Sequence, residues 1–410
     1  MISPKKIAFV SWHNYLDQTN GASISTRAIL KALSQRNWRV QTFCGPAFDR
    51  NTILLEAAIS NAEQIRKLSR KEYNASCPYA LLSFLDGSIE SIGLTPLGKK
   101  KDDLLIRRCA EEFLRLYQHY LRSERPDIVL TYGGAHVKDR ILAYGRQYGA
   151  KTCVLLQNFA YNNKDYFLHS DLTIVPSVFS KDHYWNNLGL ETCVLAPLID
   201  FAPLRRCGEY SLEKRKYLAF INPTDNKGVY WFARIAKELW RLRPDIPILV
   251  VEGSSGREIL LRSDLELQGI GNQYFAPDTI HPEQIYRLAR AILIPSVFNE
   301  SFCRVAAEAM AACVPIIASN RGAIPETVGD SGIVLEIPRK YQTYTKALHS
   351  KGEVQEWISA LLSFWDDEPT ALLLVKRGKA RVENLWNEQI LADKYEDVLY
   401  KLLSQKRLTF

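Results

Sequence analysis

The C-terminal half of this 410-residue chain contains Glu300, Arg304 and Glu308, whose spacing suits ligand binding. Glu300 follows a strand-like apolar run, and Glu308 comes four residues after Arg304 in a stretch of helical periodicity. We predict a strand, a polar loop and a helix that begins near Phe302 or Cys303, so that Arg304 and Glu308 share one helix face. Backbone N–H groups at a helix N-terminus can receive an anion, and open α/β sheets bind ligands where parallel strands end.

These groups match the needs of a nucleotide sugar. Carboxylates accept hydrogen bonds from ribose and sugar hydroxyls, while N–H groups and a cation hold a diphosphate. A structural interpretation stays open beside this one, in which Glu300 caps the helix and Glu308 only pairs with Arg304.

The elements that position these residues follow from hydrophobic periodicity. Apolar strand-like runs alternate with helical stretches, which predicts parallel sheets covered by helices on both faces. A charged, irregular stretch at 200–216 separates two such sets, which gives domains at 1–199 and 200–386 and a last helical segment at 387–410. The predicted strands are 7–11, 39–43, 128–131, 152–157, 172–175, 193–195, 217–221, 248–252, 291–295 and 315–319; the predicted helices are 25–34, 139–148, 229–241, 282–290, 303–312 and 389–403.

Composition excludes several classes of protein. The chain is 47% apolar with 8 Trp, 20 Tyr and 16 Phe, too many large hydrophobic residues for general disorder. The net charge of +8 suits an anionic partner without selecting one. The eight cysteines form no C-x-x-C pair, so we expect reduced thiols and a cytoplasmic protein. The apolar run near the N-terminus is too short for a signal peptide, and no transmembrane helix is expected.

The stretch 99–125 is amphipathic and rich in charge. A solvated helix face is one interpretation, and a peripheral contact with an acidic membrane surface, at the inner face of the membrane, is the other.

A family resemblance rests on the longest motif. Two glutamates separated by seven residues, then A-x-A-x-x-x-P-I-I-A-S and R-G-A-I-P-E, resemble the retaining glycosyltransferases of family 4. The resemblance implies an α/β GT-B fold with two doubly wound Rossmann-like domains facing each other across a cleft. It also implies that domain 1–199 serves the acceptor, that domain 200–386 binds the nucleotide sugar and that the last helix returns to the N-terminal domain.

The resemblance also assigns site residues. In the segment FINPTDNKG at 220–228, Lys227 and Gly228 match the family's diphosphate-binding G-R-x-x-x-x-K-G, while Asn222 stands where the family has arginine. Glu308 would accept from ribose and Glu300 from the sugar. The implied donor-binding set is Asn222, Lys227, Gly253, Glu300, Ser301, Phe302, Cys303, Arg304, Val305 and Glu308; the implied catalytic set is Glu300, Lys227 and His136; the implied donor or acceptor loop is His13, Gly21, Ala22 and Ser23.

Departures from the family keep alternatives open. Cys303 and Cys313 stand where glycine is common, and Arg304 or Arg257 could replace the cation missing at Asn222. One alternative is a catalytically silent homologue that binds a nucleotide sugar or glycan. A reactive Cys303, an epimerase, a phosphorylase and a nucleic-acid-binding protein are weaker hypotheses. The implied reaction transfers a sugar from a UDP-, GDP- or ADP-sugar to a hydroxyl acceptor and needs no metal and no cofactor.

Overall fold

The structure is a computed structural model in which two compact units are distinguished. It describes residues 4–48, 55–60, 62–68, 79–96, 103–132, 137–209, 211–253, 255–267, 269–277, 281–343, 346 and 349–405. The first unit comprises Met1–Pro176, Lys181–Leu198 and Gln389–Phe410, and the second comprises Ser177–Ser180 and Ile199–Glu388.

The first unit is built on a nine-stranded sheet. Its elements in chain order are β1 (Lys5–His13), α1 (Gly21–Ser34), β2 (Trp38–Ala47), α2 (Leu55–Ala58), β3 (Glu63–Leu68), β4 (Tyr79–Asp86), β5 (Ile89–Pro96), α3 (Asp103–Glu124), β6 (Ile128–Thr131), α4 (Lys138–Gln147), β7 (Lys151–Leu155), β8 (Leu172–Val175), α5 (Val178–Leu188) and β9 (Cys193–Val194), with a 3-10 turn at Lys164–Phe167.

The strand order of this sheet is β3-β4-β5-β2-β1-β6-β7-β8-β9. Ile7 in β1 lies beside Val40 of β2 and beside Ile128 of β6, in parallel register. The prediction of a wholly parallel sheet is wrong at one edge, because β3 and β4, and β4 and β5, pair antiparallel. A two-residue connection, Gly87–Ser88, permits the antiparallel hairpin, whereas parallel neighbours need a longer crossover.

The amphipathic stretch forms α3. Phe113, Leu114, Tyr117 and Leu121 on this helix are buried in the hydrophobic core of the first unit, together with Phe43 from β2. In the described part of the helix the apolar side is therefore accounted for by packing.

The second unit is built on a six-stranded, wholly parallel sheet of order β12-β11-β10-β13-β14-β15. Its elements are α6 (Ala202–Arg205), β10 (Tyr217–Ile221), α7 (Val229–Leu242), β11 (Ile248–Val251), β12 (Gln273–Ala276), α8 (Pro282–Leu288), β13 (Ala289–Ile294), α9 (Arg304–Ala311), β14 (Ile316–Ser319), α10 (Ile324–Val328), β15 (Ile333–Leu335), α11 (Lys340–Thr343), α12 (Lys351–Trp365) and α13 (Glu368–Leu385), with 3-10 turns at Arg206–Glu209, Leu212–Lys214, Arg257–Leu261 and Ser263–Leu265.

Aromatic packing holds α7 to the sheet. The rings of Phe220 in β10 and Phe232 in α7 stack with centroids 4.5 Å apart, and Trp231 packs edge-on against Trp357 of α12. The last helix, α14 (Glu388–Ser404), continues from the second unit into the part of the chain that belongs to the first. None of the helices in the described residues is long and apolar enough to cross a bilayer.

Most predicted elements are confirmed, and two boundaries of the second unit are corrected. The helix predicted at 282–290 ends at Leu288, since Ala289 is extended and begins β13. The helix predicted at 303–312 begins at Arg304, because Cys303 has a φ of 71°, which is left-handed and outside any right-handed helix.

Candidate active site

An ion pair between two loops forms the centre of the candidate site. The Lys227 Nζ, in the loop between β10 and α7, lies 2.6 Å from Oε1 of Glu300, in the loop between β13 and α9. Ser296 donates its hydroxyl to the same Oε1 at 2.7 Å. Within the described part of the chain the second oxygen, Oε2, has no hydrogen-bond donor. The Lys227 and Glu300 side chains are 34% and 17% exposed, so a ligand can reach both.

Gly228 brings the two loops together. This residue has a φ of 80°, and a Cβ there would overlap the carbonyl oxygen of Pro295. The amide of Val297 also donates to the carbonyl of Asn226 at 3.0 Å. Only glycine combines this backbone angle with this close approach, so K-G at 227–228 sets the distance between the lysine and the carboxylate.

Gly322, in the R-G-A-I-P-E segment, supports Glu300 from the other side. Glu300 and Gly322 form a parallel bridge, and Ala323 donates its amide to the Glu300 carbonyl at 2.8 Å. A Cβ at Gly322, whose φ is 60°, would overlap the backbone of Glu300. The segment that carries the family resemblance therefore fixes the backbone of this glutamate.

Electrostatics keep both groups charged. Burial acts to lower the pKa of Lys227, but the charge of Glu300 outweighs it and the pKa is raised. Burial acts to raise the pKa of Glu300, but the charge of Lys227 and hydrogen bonds from Lys227 and Ser296 leave that pKa lowered. The pair is ionised at neutral pH.

The N-terminus of α9 follows this loop. Cys303 is the cap residue and makes no side-chain capping bond, while Ala306 donates the first hydrogen bond of the helix to the Cys303 carbonyl at 3.1 Å. The interpretation in which Glu300 caps this helix is therefore wrong. The amides of Arg304 and Val305 lie in the first turn of α9, the end of a helix at which N–H groups can receive an anion.

Phe302 precedes the helix and does not belong to it. Its ring is buried and packs edge-on against Trp386 at 5.3 Å. The neighbouring Ser301 carbonyl accepts a hydrogen bond from the Ser180 hydroxyl at 3.2 Å. Burial raises the pKa of the Cys303 thiol to about 12, the opposite of what a reactive thiol needs.

The second glutamate lies one helical turn into α9. Arg304 Nη2 is 3.0 Å from Oε1 of Glu308, as their spacing predicts, and the hydroxyl of Tyr286 in α8 donates to Oε2 at 3.0 Å. Tyr286 is not among the residues predicted from the sequence. No spacing signal marks it, because it lies on a different helix, 22 positions before its partner.

Asn222 and Gly253 are brought together. Asn222 has a φ of 59°, a backbone conformation that asparagine tolerates better than most residues. Its side chain lies over the backbone of Gly253, where a Cβ would come within 2.5 Å of Asn222 Cγ. The side chain of Arg257 lies outside the described residues, and its backbone begins a 3-10 turn.

Four predicted residues lie in the first unit: His13 ends β1, and Gly21, Ala22 and Ser23 begin α1. The side chain of Asn20 caps this helix, because it accepts hydrogen bonds from the amides of Ala22 and Ser23. The Tyr132 hydroxyl lies 3.1 Å from the Ser23 hydroxyl and donates to the carbonyl of His13 at 3.2 Å. His136 lies outside the described residues.

Known proteins resemble part of this chain in sequence and the whole of it in fold. Residues 215–361 match the family model of the glycosyl transferases group 1. The matched residues lie within the second unit. The chain is 28% identical over 202 residues to a D-inositol 3-phosphate glycosyltransferase of Corynebacterium kroppenstedtii, a match that covers 45% of this chain and 41% of that relative. The chain thus spans less than half the length of this curated relative.

Solved structures that are similar to the whole chain establish its fold. Sucrose-phosphate synthase from Thermosynechococcus elongatus has a TM-score of 0.67 at 17% identity, covering 98% of this chain and 99% of that one. Anabaena HepE in complex with UDP has a TM-score of 0.64 at 13% identity, covering 97% and 100%. The predicted GT-B fold is confirmed.

Proposed function

We propose that this chain is a retaining glycosyltransferase of family 4 that moves a sugar from a nucleotide-sugar donor to an acceptor hydroxyl. The observation that carries the proposal is the Lys227–Glu300 pair beside the N-terminus of α9, within a domain of the glycosyl transferases group 1. A fixed cation, a helix N-terminus and a carboxylate with one open oxygen are what a sugar linked to a diphosphate requires.

Lys227 is the proposed ligand of the donor diphosphate. An ammonium group has three N–H donors, and in the described part of the chain one of them is directed to Glu300. Two N–H donors are left for phosphate oxygens, alongside the amides of Arg304 and Val305. Because Lys227 also bonds Glu300, the lysine links the diphosphate to the carboxylate that we assign to the sugar hydroxyls.

In the proposed reaction the acceptor oxygen attacks the anomeric carbon on the face that the diphosphate leaves. The bond between that carbon and the diphosphate oxygen breaks, and the acceptor proton passes to the departing phosphate. Lys227 and the helix amides stabilise the negative charge that develops on the leaving group, so we propose that transfer proceeds without a bound metal or cofactor.

The remaining assignments are proposals of the same kind. Glu308 accepts from the ribose hydroxyls, and His13 with the first turn of α1 contacts the acceptor. UDP is the first nucleotide to test, since the Anabaena HepE structures contain UDP or UDP-glucose, the latter at 14% identity and a TM-score of 0.61. A location in the cytoplasm, at the inner membrane face, follows from the expected reduced cysteines and positive charge.

The experiment incubates the full chain with a panel of UDP-, GDP- and ADP-sugars and a cell extract as the source of acceptor, with and without EDTA. We expect one donor to be consumed at equal rates in both conditions, and NMR of the purified product to show the donor's anomeric configuration. Product of inverted configuration would contradict the retaining assignment. Binding of a donor without any product or hydrolysis would instead indicate the catalytically silent homologue.

A further inference from the structure

The hydroxyl of a buried tyrosine, Tyr286, contacts the candidate site. Tyr286 is fully buried in α8, and its hydroxyl donates to Oε2 of Glu308 at 3.0 Å, while Arg304 holds Oε1 at 3.0 Å. Each oxygen of the Glu308 carboxylate is therefore held by one donor, on opposite sides of the group. Two such contacts fix the plane of a carboxylate that would otherwise rotate.

The backbone of Tyr286 is tied to the helix that carries Glu308. The buried guanidinium of Arg215 donates from Nη1 to the carbonyls of Ala312 at 2.9 Å and Cys313 at 3.2 Å, at the end of α9, and to that of Tyr286 at 3.4 Å. Tyr286 therefore holds a fixed position relative to α9, and its hydroxyl has a defined approach to the carboxylate.

The Tyr286 hydroxyl acts only as a donor in this contact, since an ionised carboxylate accepts and cannot donate. Burial and the neighbouring Glu308 raise the pKa of Tyr286 well above its ordinary value, so the phenol keeps its proton at any working pH. A carboxylate offers about four acceptor positions. With one position on each oxygen occupied, one on each oxygen is left for a ligand.

We propose that Tyr286 is a positioning residue for nucleotide recognition, which orients the Glu308 carboxylate so that it accepts both hydroxyls of the donor ribose. This inference rests on the proposed function, because it takes Glu308 as the ribose-binding carboxylate. It adds a residue that touches no part of the donor and acts through Glu308, while its hydroxyl also lies 3.5 Å from the carbonyl of Val305.

The experiment measures the affinity of UDP and of 2′-deoxy-UDP by isothermal titration calorimetry. It compares the wild type with Tyr286→Phe, Glu308→Gln and the double variant. Tyr341→Phe is the matched control, since Tyr341 is also a buried tyrosine of the second unit whose hydroxyl donates to a glutamate, Glu353, away from α9.

We expect the wild type and Tyr341→Phe to prefer UDP roughly 10-fold or more, the scale of a hydrogen bond to a charged group. Tyr286→Phe should lose most of that preference through weaker UDP binding while its affinity for 2′-deoxy-UDP stays unchanged, which also shows that the variant is folded. Adding Tyr286→Phe to Glu308→Gln should change nothing further.

Two results for Tyr286→Phe would overturn the role of Tyr286 and leave the ribose assignment intact. One is an unchanged preference for UDP. The other is an equal loss of affinity for both nucleotides, as a purely structural role would produce. A wild type that does not distinguish the nucleotides, or a Glu308→Gln variant with full preference, would instead remove the ribose assignment on which the inference rests.

Discussion

The ammonium of Lys227 and the carboxylate of Glu300 lie 2.6 Å apart although 73 positions of sequence separate them. Each residue follows a strand of the second unit, Lys227 after β10 and Glu300 after β13, and those two strands are parallel neighbours in the sheet. Parallel neighbours end at the same edge, so strand order alone brings both loops together. The backbone contacts of Gly228 and Gly322 then fix the separation.

Ser296 should help to hold the Glu300 carboxylate in place, because its hydroxyl donates to the oxygen that also accepts from Lys227. In Ser296→Ala, we expect kcat of donor consumption to fall roughly 10-fold, since a hydrogen bond to a charged group contributes about 1.5 kcal/mol or more. Ser363→Ala is the control, because that exposed hydroxyl bonds only a carbonyl of its own helix. An unchanged kcat in Ser296→Ala would show that Lys227 holds Glu300 without help.

A comparison of Gly228 with Gly269 separates the cost of a steric overlap from the cost of a left-handed backbone. Their φ values are 80° and 81°, but a Cβ at Gly228 would overlap Pro295, whereas at Gly269 no atom of the described residues beyond its chain neighbours lies within 4 Å of a Cβ. We expect Gly269→Ala to lower the free energy of unfolding by about 1 kcal/mol, and Gly228→Ala by about 3 kcal/mol or more. Urea unfolding checks this, and equal losses in both variants would contradict the tight loop contact.

Cys303 should resist alkylation in the folded protein. The thiol is buried, and burial followed by the charge of Glu300 raises its pKa to about 12, although a helix N-terminus by itself favours the thiolate. We expect iodoacetamide at pH 8 to leave Cys303 unmodified until urea unfolds the chain. Peptide mass spectrometry measures this, and rapid labelling of the native protein would restore the hypothesis of a reactive thiol.

His349 makes the second unit sensitive to acid. Its buried ring packs against Trp231 and Tyr341 with centroids 4.3 and 4.2 Å apart, and neither ring nitrogen has a hydrogen-bond partner among the described residues. Burial lowers the pKa of His349 to about 4, so the native ring is neutral.

The unfolded chain binds the His349 proton near pH 6.5 and the native state only near pH 4, so stability falls as the pH drops through this interval. We expect a loss of about 3 kcal/mol, complete below pH 4. In urea unfolding at pH 7, 5 and 4, His349→Phe should lose less stability than the wild type. Equal pH dependence in both proteins would contradict the neutral native ring.

The fold could be predicted largely from hydrophobic periodicity. The main feature that the prediction lacks is the antiparallel edge of the first sheet. Strands 128–131, 172–175 and 217–221 match the structure at both ends, because buried parallel strands are short continuous apolar runs. The β4–β5 hairpin was not predicted, although Gly87–Ser88 is a dipeptide typical of two-residue hairpin turns.

The site could be predicted only as far as a motif marks its members. Lys227, Glu300 and Glu308 are marked by spacing, and Arg304 pairs with Glu308 because four residues make one helical turn. Ser296 and Tyr286 belong to no motif and are identified only by the distances of the folded chain. The ion pair itself was not predicted, because Lys227 was assigned to the diphosphate of the donor and Glu300 to its sugar.

The most direct test of the central claim is the rate of donor consumption by Lys227→Ala, measured with the donor that the wild type uses. Lys237→Ala is the matched control, because Lys237 lies in the same unit and pairs with Glu266 at the surface. We predict that kcat falls roughly 100-fold or more in Lys227→Ala, the scale of losing one contact that stabilises charge in a transition state, and stays unchanged in Lys237→Ala. A fully active Lys227→Ala enzyme would contradict the account.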